Sequence, residues 1–194
     1  MGSDTYTLGF DTSAAHCAAA LLCGDRLVAT RAEAMGRGQA ERLMPLMEEM
    51  LAEAGIGWRD LSRLGVGVGP GNFTGIRIGV SAARGLALAL DIPAVGVSGF
   101  DAIRQSGAAG VPAVPAPRDQ VYVAPDGQAP RLVARDNVIE ALALPPEPAE
   151  LAQAVARCAA KAQPPFDAPA PLYLRPADAA PARDTPPKIL DDDA

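Results

Sequence analysis

One glycine-rich stretch constrains the fold of this chain more than any other, the segment VGVGPGNFTGIRIGVSAARGLALAL at residues 66–90. It predicts a strand, a loop and a helix, because an apolar run at residues 64–68 precedes four loop-forming residues and a second, longer apolar run. Thr74 is the expected N-cap, since its hydroxyl can accept from the free N–H groups of the first turn. The helix is expected to end near Leu90, before Pro93.

Small residues recur at every fourth position of this predicted helix and form one narrow stripe: Gly75, Gly79, Ala83 and Ala87. Glycine inside a helix costs about 1 kcal/mol relative to alanine. The stripe is therefore expected to let another backbone come close. That backbone can belong to the same domain or to a helix of another chain, and the pattern alone favours packing within the domain.

The loop before this helix also raises the question of phosphate binding, because a helix N-terminus favours anions. The loop has neither GxGxxG spacing nor the Gly-Lys-Ser/Thr ending of a P-loop. Arg77 and Arg84 are the only cations in the predicted helix. The indication of a phosphate site is weak.

The first hundred residues predict an α/β fold with a mixed sheet and helices on its faces. Strands are expected at residues 5–11, 16–23, 26–33 and 94–97, with the central strand in the glycine-rich stretch and a helix at residues 39–54. The first three strands form an antiparallel meander with Gly24-Asp25 as a hairpin turn. Strand, long helix and strand then predict a right-handed parallel crossover, which is the order of a ribonuclease-H-like layout.

The helix at residues 39–54 has a broad apolar face that is rich in methionine. Methionine adapts to irregular surfaces, so this face suits either a core or a docking surface. Pro45 is expected to lie in the first turns or to kink the helix. The face consists of Leu43, Met44, Met47, Met50, Leu51 and Ala54.

Proline becomes frequent after about residue 100, and the elements become shorter. Helices are expected at residues 101–105, 137–144 and 147–161, and strands at 120–123, 131–134 and 171–175. The turn Pro125-Asp126-Gly127 separates two of these strands. Residues from about 177 have the composition of a disordered tail.

Composition disfavours several classes of function. The formal net charge of −6 makes the chain a poor stand-alone binder of nucleic acid. A single histidine, His16, argues against zinc catalysis and against a serine or cysteine nucleophile that needs an imidazole base. Three cysteines indicate buried thiols in a reducing cytosol, and no signal peptide or membrane span is expected. We therefore expect a cytoplasmic protein.

The triplet Asp11-Thr12-Ser13 follows the first predicted strand. A carboxylate and two hydroxyls at a strand end can hold magnesium and phosphate. The same residues are also typical of an Asx turn. This triplet is the basis of one functional hypothesis, a small phosphotransferase or ATPase with a magnesium-phosphate site at residues 11–13.

Five segments follow the order seen in the bacterial TsaB (YeaZ) family: FDTSAAHCAAALL, QAERLMPLMEEML, GPGNFTGIRIGVSAARGLALALDIPAVGVS, QVYVA and PLYLRP. The chain resembles that family over roughly residues 8–176, and GPGNFTGIRIG is the specific block. The resemblance implies a shortened member of the actin-like superfold built from two ribonuclease-H-like lobes. Here these would be residues 1–100 and a truncated second lobe at 101–176, followed by a disordered tail at 177–194.

The resemblance also implies a non-catalytic subunit, without cofactor or metal, that helps to make threonylcarbamoyl-adenosine beside the tRNA anticodon. Such a subunit pairs with the catalytic TsaD subunit, is joined by the TsaE ATPase, and meets tRNA only through the complex; a homodimer is possible when it is alone. Family members associate through the two helices at residues 39–54 and 74–90. The implied interface consists of Glu41, Leu43, Met44, Met47, Met50, Leu51, Gly75, Arg77, Gly79, Ala83 and Ala87.

Overall fold

A five-stranded mixed sheet forms the centre of the computed structural model, which describes residues 5–174. The strand order is β3-β2-β1-β4-β5. The meander β1 to β3 is antiparallel, whereas β4 pairs parallel with both β1 and β5. The strands are β1 (Tyr6–Asp11), β2 (His16–Cys23), β3 (Arg26–Ala34), β4 (Leu61–Gly67) and β5 (Ala94–Val97). The predicted α/β, ribonuclease-H-like layout is confirmed.

Two helices cover one face of this sheet, α1 (Gln39–Glu53) and α2 (Phe73–Leu90). The alternation of side chains along β2 separates the two faces. Cys17, Ala19 and Leu21 join the core beneath α1 and α2. Ala18, Ala20 and Leu22 point the other way, towards α4 (Pro148–Lys161).

Helix α4 therefore completes the first sheet, although it comes from the second half of the chain. Glycines in β1 and β4 allow it to lie very close: a Cβ on Gly9 would overlap the backbone of Ala156, and a Cβ on Gly65 would lie 2.7 Å from Cβ of Ala159. The division of the chain at residue 100 thus leaves one face of the first sheet to a helix from beyond that boundary.

A second sheet of four strands has the order β8-β7-β6-β9. It consists of β6 (Val111–Ala116), β7 (Gln120–Val123), β8 (Arg131–Ala134) and β9 (Leu142–Ala143), with α3 (Gly99–Ser106) preceding it. The sequence did not predict β6, because Pro112 and Pro115 argue against a strand. Its pairing is divided, with Val111 and Pro112 matched to β9 and Ala113 to Ala116 matched to β7.

The helix expected at residues 137–144 is absent; a 3-10 turn at Arg135–Asn137 and strand β9 take its place. An isolated helix of that length is marginal, and pairing of Leu142 with Val111 of β6 prevails. The strand expected at residues 171–175 is also not formed in its described part, where Leu172 donates one backbone hydrogen bond to Val68 at 2.8 Å. Arg175 and the tail predicted at 177–194 lie outside the described residues.

Helix α2 is the one helix in residues 5–174 whose length and composition would suffice for a membrane span, with a mean hydropathy of 1.3 over 18 residues. Only 28% of those residues are buried in the chain. The buried residues form the face of α2 that packs on the sheet: Gly75, Ile76, Gly79, Val80 and Ala83.

Candidate functional site

The turn after β1 is organised by the carboxylate of Asp11. Its Oδ1 accepts from the backbone N–H of Ser13 at 2.9 Å, from the Ser13 hydroxyl at 2.9 Å, and pairs with Nε2 of His16 at 2.8 Å. Asp11 and His16 are 3% and 6% exposed. The first two bonds make an Asx turn, and the third ties it to the start of β2.

Sequence reasoning treated His16 as a lone structural residue and missed its pairing with Asp11. A signal was available in the meander. When strands end at residue 11 and begin at residue 16, a tight turn places both residues at the same end of the hairpin.

The glycine-rich loop closes around this turn. The Thr12 hydroxyl donates to the carbonyl of Gly75 at 2.7 Å, and the N–H of Asn72 donates to the carbonyl of Ser13 at 2.7 Å. A Cβ on Gly71 would overlap the Ser13 carbonyl, and one on Gly75 would overlap the Thr12 carbonyl. The two most distinctive motifs of the sequence, the Asp-Thr-Ser triplet and the GPGNFTG block, are therefore one packed unit.

The N-cap of α2 is Asn72, and the prediction of Thr74 was wrong. The side-chain oxygen of Asn72 accepts from the N–H of Gly75 at 2.8 Å. Asparagine is at least as good an N-cap as threonine. The helix consequently begins at Phe73, and Thr74 lies in its first turn.

A cleft of about 930 Å³ opens beside the turn. Asp11, Ser13 and His16 supply polar groups, while most other lining residues are apolar. They include six prolines and the rings of Phe73, Tyr122 and Tyr173. Among the described lining residues none is a lysine or an arginine, so the cleft has no fixed positive charge for a phosphate.

The polar groups of the cleft do not form a catalytic relay. In a serine hydrolase the imidazole lies between the serine and the aspartate. Here the Ser13 hydroxyl and the His16 ring both bind the same oxygen of Asp11. Within residues 5–174 no three metal-ligating side chains converge.

Cys17 follows His16 in sequence but is not part of the cleft. It faces the opposite side of the sheet, in the core beneath α1 and α2. Burial raises the pKa of its thiol to about 11, so the thiolate needed for nucleophilic chemistry is not formed near neutral pH.

The stripe of small residues on α2 packs inside the chain, which is the alternative that the pattern alone favours. Gly75 lies on the Thr12 carbonyl, and a Cβ on Gly79 would lie 2.9 Å from Oγ1 of Thr12 and 3.3 Å from Cγ2 of Val66. Ala83 is fully buried, and Ala87 is half-buried against the same core. The backbone that approaches the stripe is the chain's own Asp-Thr-Ser turn.

Most of the apolar face of α1 is also buried in the chain itself. Leu43, Met47, Met50 and Leu51 are at most 2% exposed. These four side chains lie in the chain's own core. Of the other predicted interface residues, Met44 is 38% exposed and Glu41 and Arg77 are exposed.

An ion-pair cluster fastens the outer side of α1 to β3. The guanidinium of Arg42 donates to both carboxylate oxygens of Glu33, at 2.7 and 2.8 Å, and to both of Glu49, at 2.6 and 2.8 Å. These hydrogen bonds hold the pKa values of Glu33 and Glu49 below their usual range. The cluster borders the exposed side of α1 that carries Glu41.

Comparisons with known proteins find two related groups, TsaD and TsaB (YeaZ). The family model described as TsaD: tRNA N6-adenosine threonylcarbamoyltransferase matches residues 32–178. The protein named tRNA threonylcarbamoyladenosine biosynthesis protein TsaB is 36% identical in Haemophilus influenzae over 99 residues, which are 51% of this chain and 42% of that one. Its Escherichia coli counterpart is 38% identical over 91 residues, 47% of this chain and 39% of that one. This chain thus spans about two fifths of the length of the curated relatives it matches.

Solved structures extend the likeness to the fold. YeaZ from Pseudomonas aeruginosa superposes with a TM-score of 0.60 at 30% identity, covering 69% of each chain. A second structure from that organism, described as an uncharacterized protein with similarity to peptidase YeaZ, gives a TM-score of 0.61 at 31% identity and covers 69% of this chain and 68% of that one.

Proposed function

This chain belongs to the TsaB (YeaZ) family, and from that premise we propose that it is a non-catalytic partner subunit in the threonylcarbamoylation of tRNA adenosine. The printed names of its relatives support the pathway. Its role as a partner is supported by the surface of α2.

The outer face of α2 carries exposed apolar side chains beside its two arginines. The helix is apolar enough to resemble a membrane span, yet only 28% of it is buried. Leu88 is 86% exposed, and Met44 on the neighbouring helix α1 is 38% exposed. Both side chains lie on the two helices through which the family resemblance expects association, and this supports an interaction surface there. Arg77 and Arg84 also lie on the exposed side of α2 and disfavour insertion into lipid.

The occupant that we propose for this surface is the corresponding face of a TsaD-like catalytic subunit. The TsaD family model matches this chain across α1 and α2. A TsaD chain is therefore expected to carry counterparts of both helices, and two similar surfaces can pair about a pseudo-twofold axis. The same argument allows a homodimer when the partner is absent.

The exposed members of the predicted interface, Glu41, Met44 and Arg77, would make the direct contacts, with half-buried Ala87 at their edge. The buried residues Leu43, Met47, Met50, Leu51, Gly75, Gly79 and Ala83 would hold the two helices in place from beneath. The residues thus divide into a contact layer and a supporting layer.

The cleft supports the non-catalytic part of the proposal. Oδ1 of Asp11 already accepts from Ser13 and His16, and the described lining offers no cation to a nucleotide phosphate. We therefore assign catalysis and the binding of nucleotide and metal to the partner. A TsaE-like ATPase would join the complex. With a net charge of −6, the chain would meet tRNA only through that complex, in the cytoplasm.

A binding experiment with the TsaD subunit of the same organism tests the proposal. Leu88→Asp and Met44→Asp place a charge on the exposed apolar surface and should each weaken association by roughly tenfold or more. Ile139→Asp is the matched control, because Ile139 is 98% exposed and lies beside the second sheet. Association can be measured by size-exclusion chromatography with light scattering. Equal affinity of Leu88→Asp, Met44→Asp and the unchanged chain would exclude this surface.

A further inference from the structure

The segment at residues 163–174, called the strap below, runs from the end of α4 along the sheet to the cleft. Phe166 lies under the guanidinium of Arg63, 4.9 Å from the ring centroid. Pro169 lies beside Gly96 of β5. Leu172 donates its N–H to Val68 at 2.8 Å. The last residues of the strap, from Leu172 to Leu174, line the cleft.

The end of the strap is fastened to α2 by Arg77. Nε of Arg77 donates to the Tyr173 hydroxyl at 3.0 Å. The guanidinium lies over the ring of Phe73, 3.8 Å from its centroid, and that ring stacks on Tyr173 with centroids 4.8 Å apart. Phe73 and Tyr173 both line the cleft, whereas Arg77 lies on the exposed side of α2.

Apolar contacts also hold the strap: Pro169 is buried, Leu172 packs against the core beneath α1 and α2, and Leu174 packs against the cluster that contains Phe100 and Tyr122. Most of its residues are exposed, and Tyr173 is 42% exposed. Within residues 5–174, Leu172 N–H to Val68 is the backbone hydrogen bond that joins it to the first sheet. Segments with few backbone hydrogen bonds and an exposed end open at lower free-energy cost than the core. The cluster of Arg77, Phe73 and Tyr173 adds to the apolar contacts and holds the end of the strap, where Tyr173 is exposed.

We propose that the strap is a gate, a segment that controls access to the cleft, and that Arg77 is its latch, the side chain that holds the gate closed through Tyr173. Because Arg77 lies on the exposed face of α2, a contact made there can release it. Release of Arg77 from Tyr173 frees the strap end and opens the cleft to uncharged, largely apolar ligands. The ligand class follows from the lining, which is mainly apolar and, in the described residues, without lysine or arginine. The side chain that a partner on α2 would touch therefore also controls the cleft.

Hydrogen exchange followed by mass spectrometry on the isolated full-length chain tests the latch. Arg77→Ala should speed exchange of the Leu172 amide by about fivefold or more, since a charge-assisted hydrogen bond and a ring contact are lost. Tyr173→Phe keeps the ring and removes only the acceptor, so it should give a smaller increase. Arg84→Ala, at the other arginine of α2, is the matched control and should leave exchange in the strap unchanged.

Binding of the uncharged dye Nile red reports access to the cleft. Arg77→Ala should bind the dye several times more tightly than Arg84→Ala at the same concentration. Unchanged exchange at Leu172, or unchanged dye binding despite faster exchange, would overturn the gate. If Arg77→Ala does not fold, the smaller change Tyr173→Phe decides the question by the same two measurements. Because no partner is present, this result is independent of whether the α2 surface binds a TsaD-like subunit.

Discussion

Oδ1 of Asp11 lies 2.8 Å from Nε2 of His16, across the turn that joins β1 to β2. Both side chains are almost fully buried. The same oxygen accepts two hydrogen bonds from Ser13. Thr12, which lies between Asp11 and Ser13 in the sequence, donates its hydroxyl to the carbonyl of Gly75 in the first turn of α2. Asp11 therefore joins the meander to the turn on which the glycine-rich loop packs.

Removal of the carboxylate should destabilise the whole fold. In Asp11→Ala the buried imidazole of His16 and the hydroxyl of Ser13 lose their partner, at a cost of about 2–4 kcal/mol in the free energy of unfolding. Asp25→Ala, at the exposed β2–β3 turn, should change it by less than about 0.5 kcal/mol. Chemical denaturation measures both. A small effect of Asp11→Ala would contradict this structural role of the carboxylate.

Substitutions on α2 should separate its inner from its outer face. Gly79→Leu has no room beside Thr12 and Val66 and should lower the free energy of unfolding by more than about 3 kcal/mol or prevent folding. Gly85→Ala, on the exposed face where a Cβ meets no atom within 4 Å, should raise it by about 0.5–1 kcal/mol. Thermal unfolding compares the two. A stable Gly79→Leu variant that no longer associates would restore the stripe as the contact surface.

The Arg42 cluster should make stability depend on acid pH. Because the folded-state pKa values of Glu33 and Glu49 lie below the usual glutamate value, their contribution is fully present above about pH 5 and is lost as the pH falls through those lowered values. Arg42→Met should flatten that part of the stability–pH profile. Arg59→Met, at an exposed arginine of the 3-10 turn Trp58–Asp60, is the control. Identical acid profiles for both variants would contradict the assignment.

Isolated protein should bind ATP weakly or not at all, with or without magnesium. The described lining of the cleft has no arginine or lysine to pair with a triphosphate. Oδ1 of Asp11 is already hydrogen-bonded to Ser13 and His16. Isothermal titration calorimetry measures this directly. A micromolar dissociation constant would favour the alternative hypothesis, a phosphotransferase or ATPase that uses Asp11 to Ser13.

A chain of residues 1–100 should not fold stably, although it contains the whole first sheet. It lacks α4, which covers Ala18, Ala20 and Leu22, so these side chains would face water. Circular dichroism and dye binding should show a loosely packed state. Addition of residues 101–176 should restore a cooperative transition. Cooperative unfolding of the short chain would instead make the first lobe an independent domain.

The sequence predicted the first sheet well, because strand alternation and the hairpin turn are local signals. It failed where a distant partner decided the outcome. Pro112 and Pro115 concealed β6, whose divided pairing tolerates them. Within residues 137–144 only Leu142 and Ala143 form a strand, because β6 is there to pair with them. The glycine stripe correctly predicted a close backbone approach but could not say whose backbone, and it proved to be that of Thr12.

The dependence of the first sheet on α4 has a consequence for synthesis. Strands β1 to β5 leave the ribosome first, but the helix that covers their second face is complete only when residue 161 has been added. Until then Ala18, Ala20 and Leu22 remain on an open apolar face. Contacts of such long sequence separation form slowly. The nascent chain therefore passes through a stage in which that apolar face is open to other chains, and this stage ends when α4 packs on it.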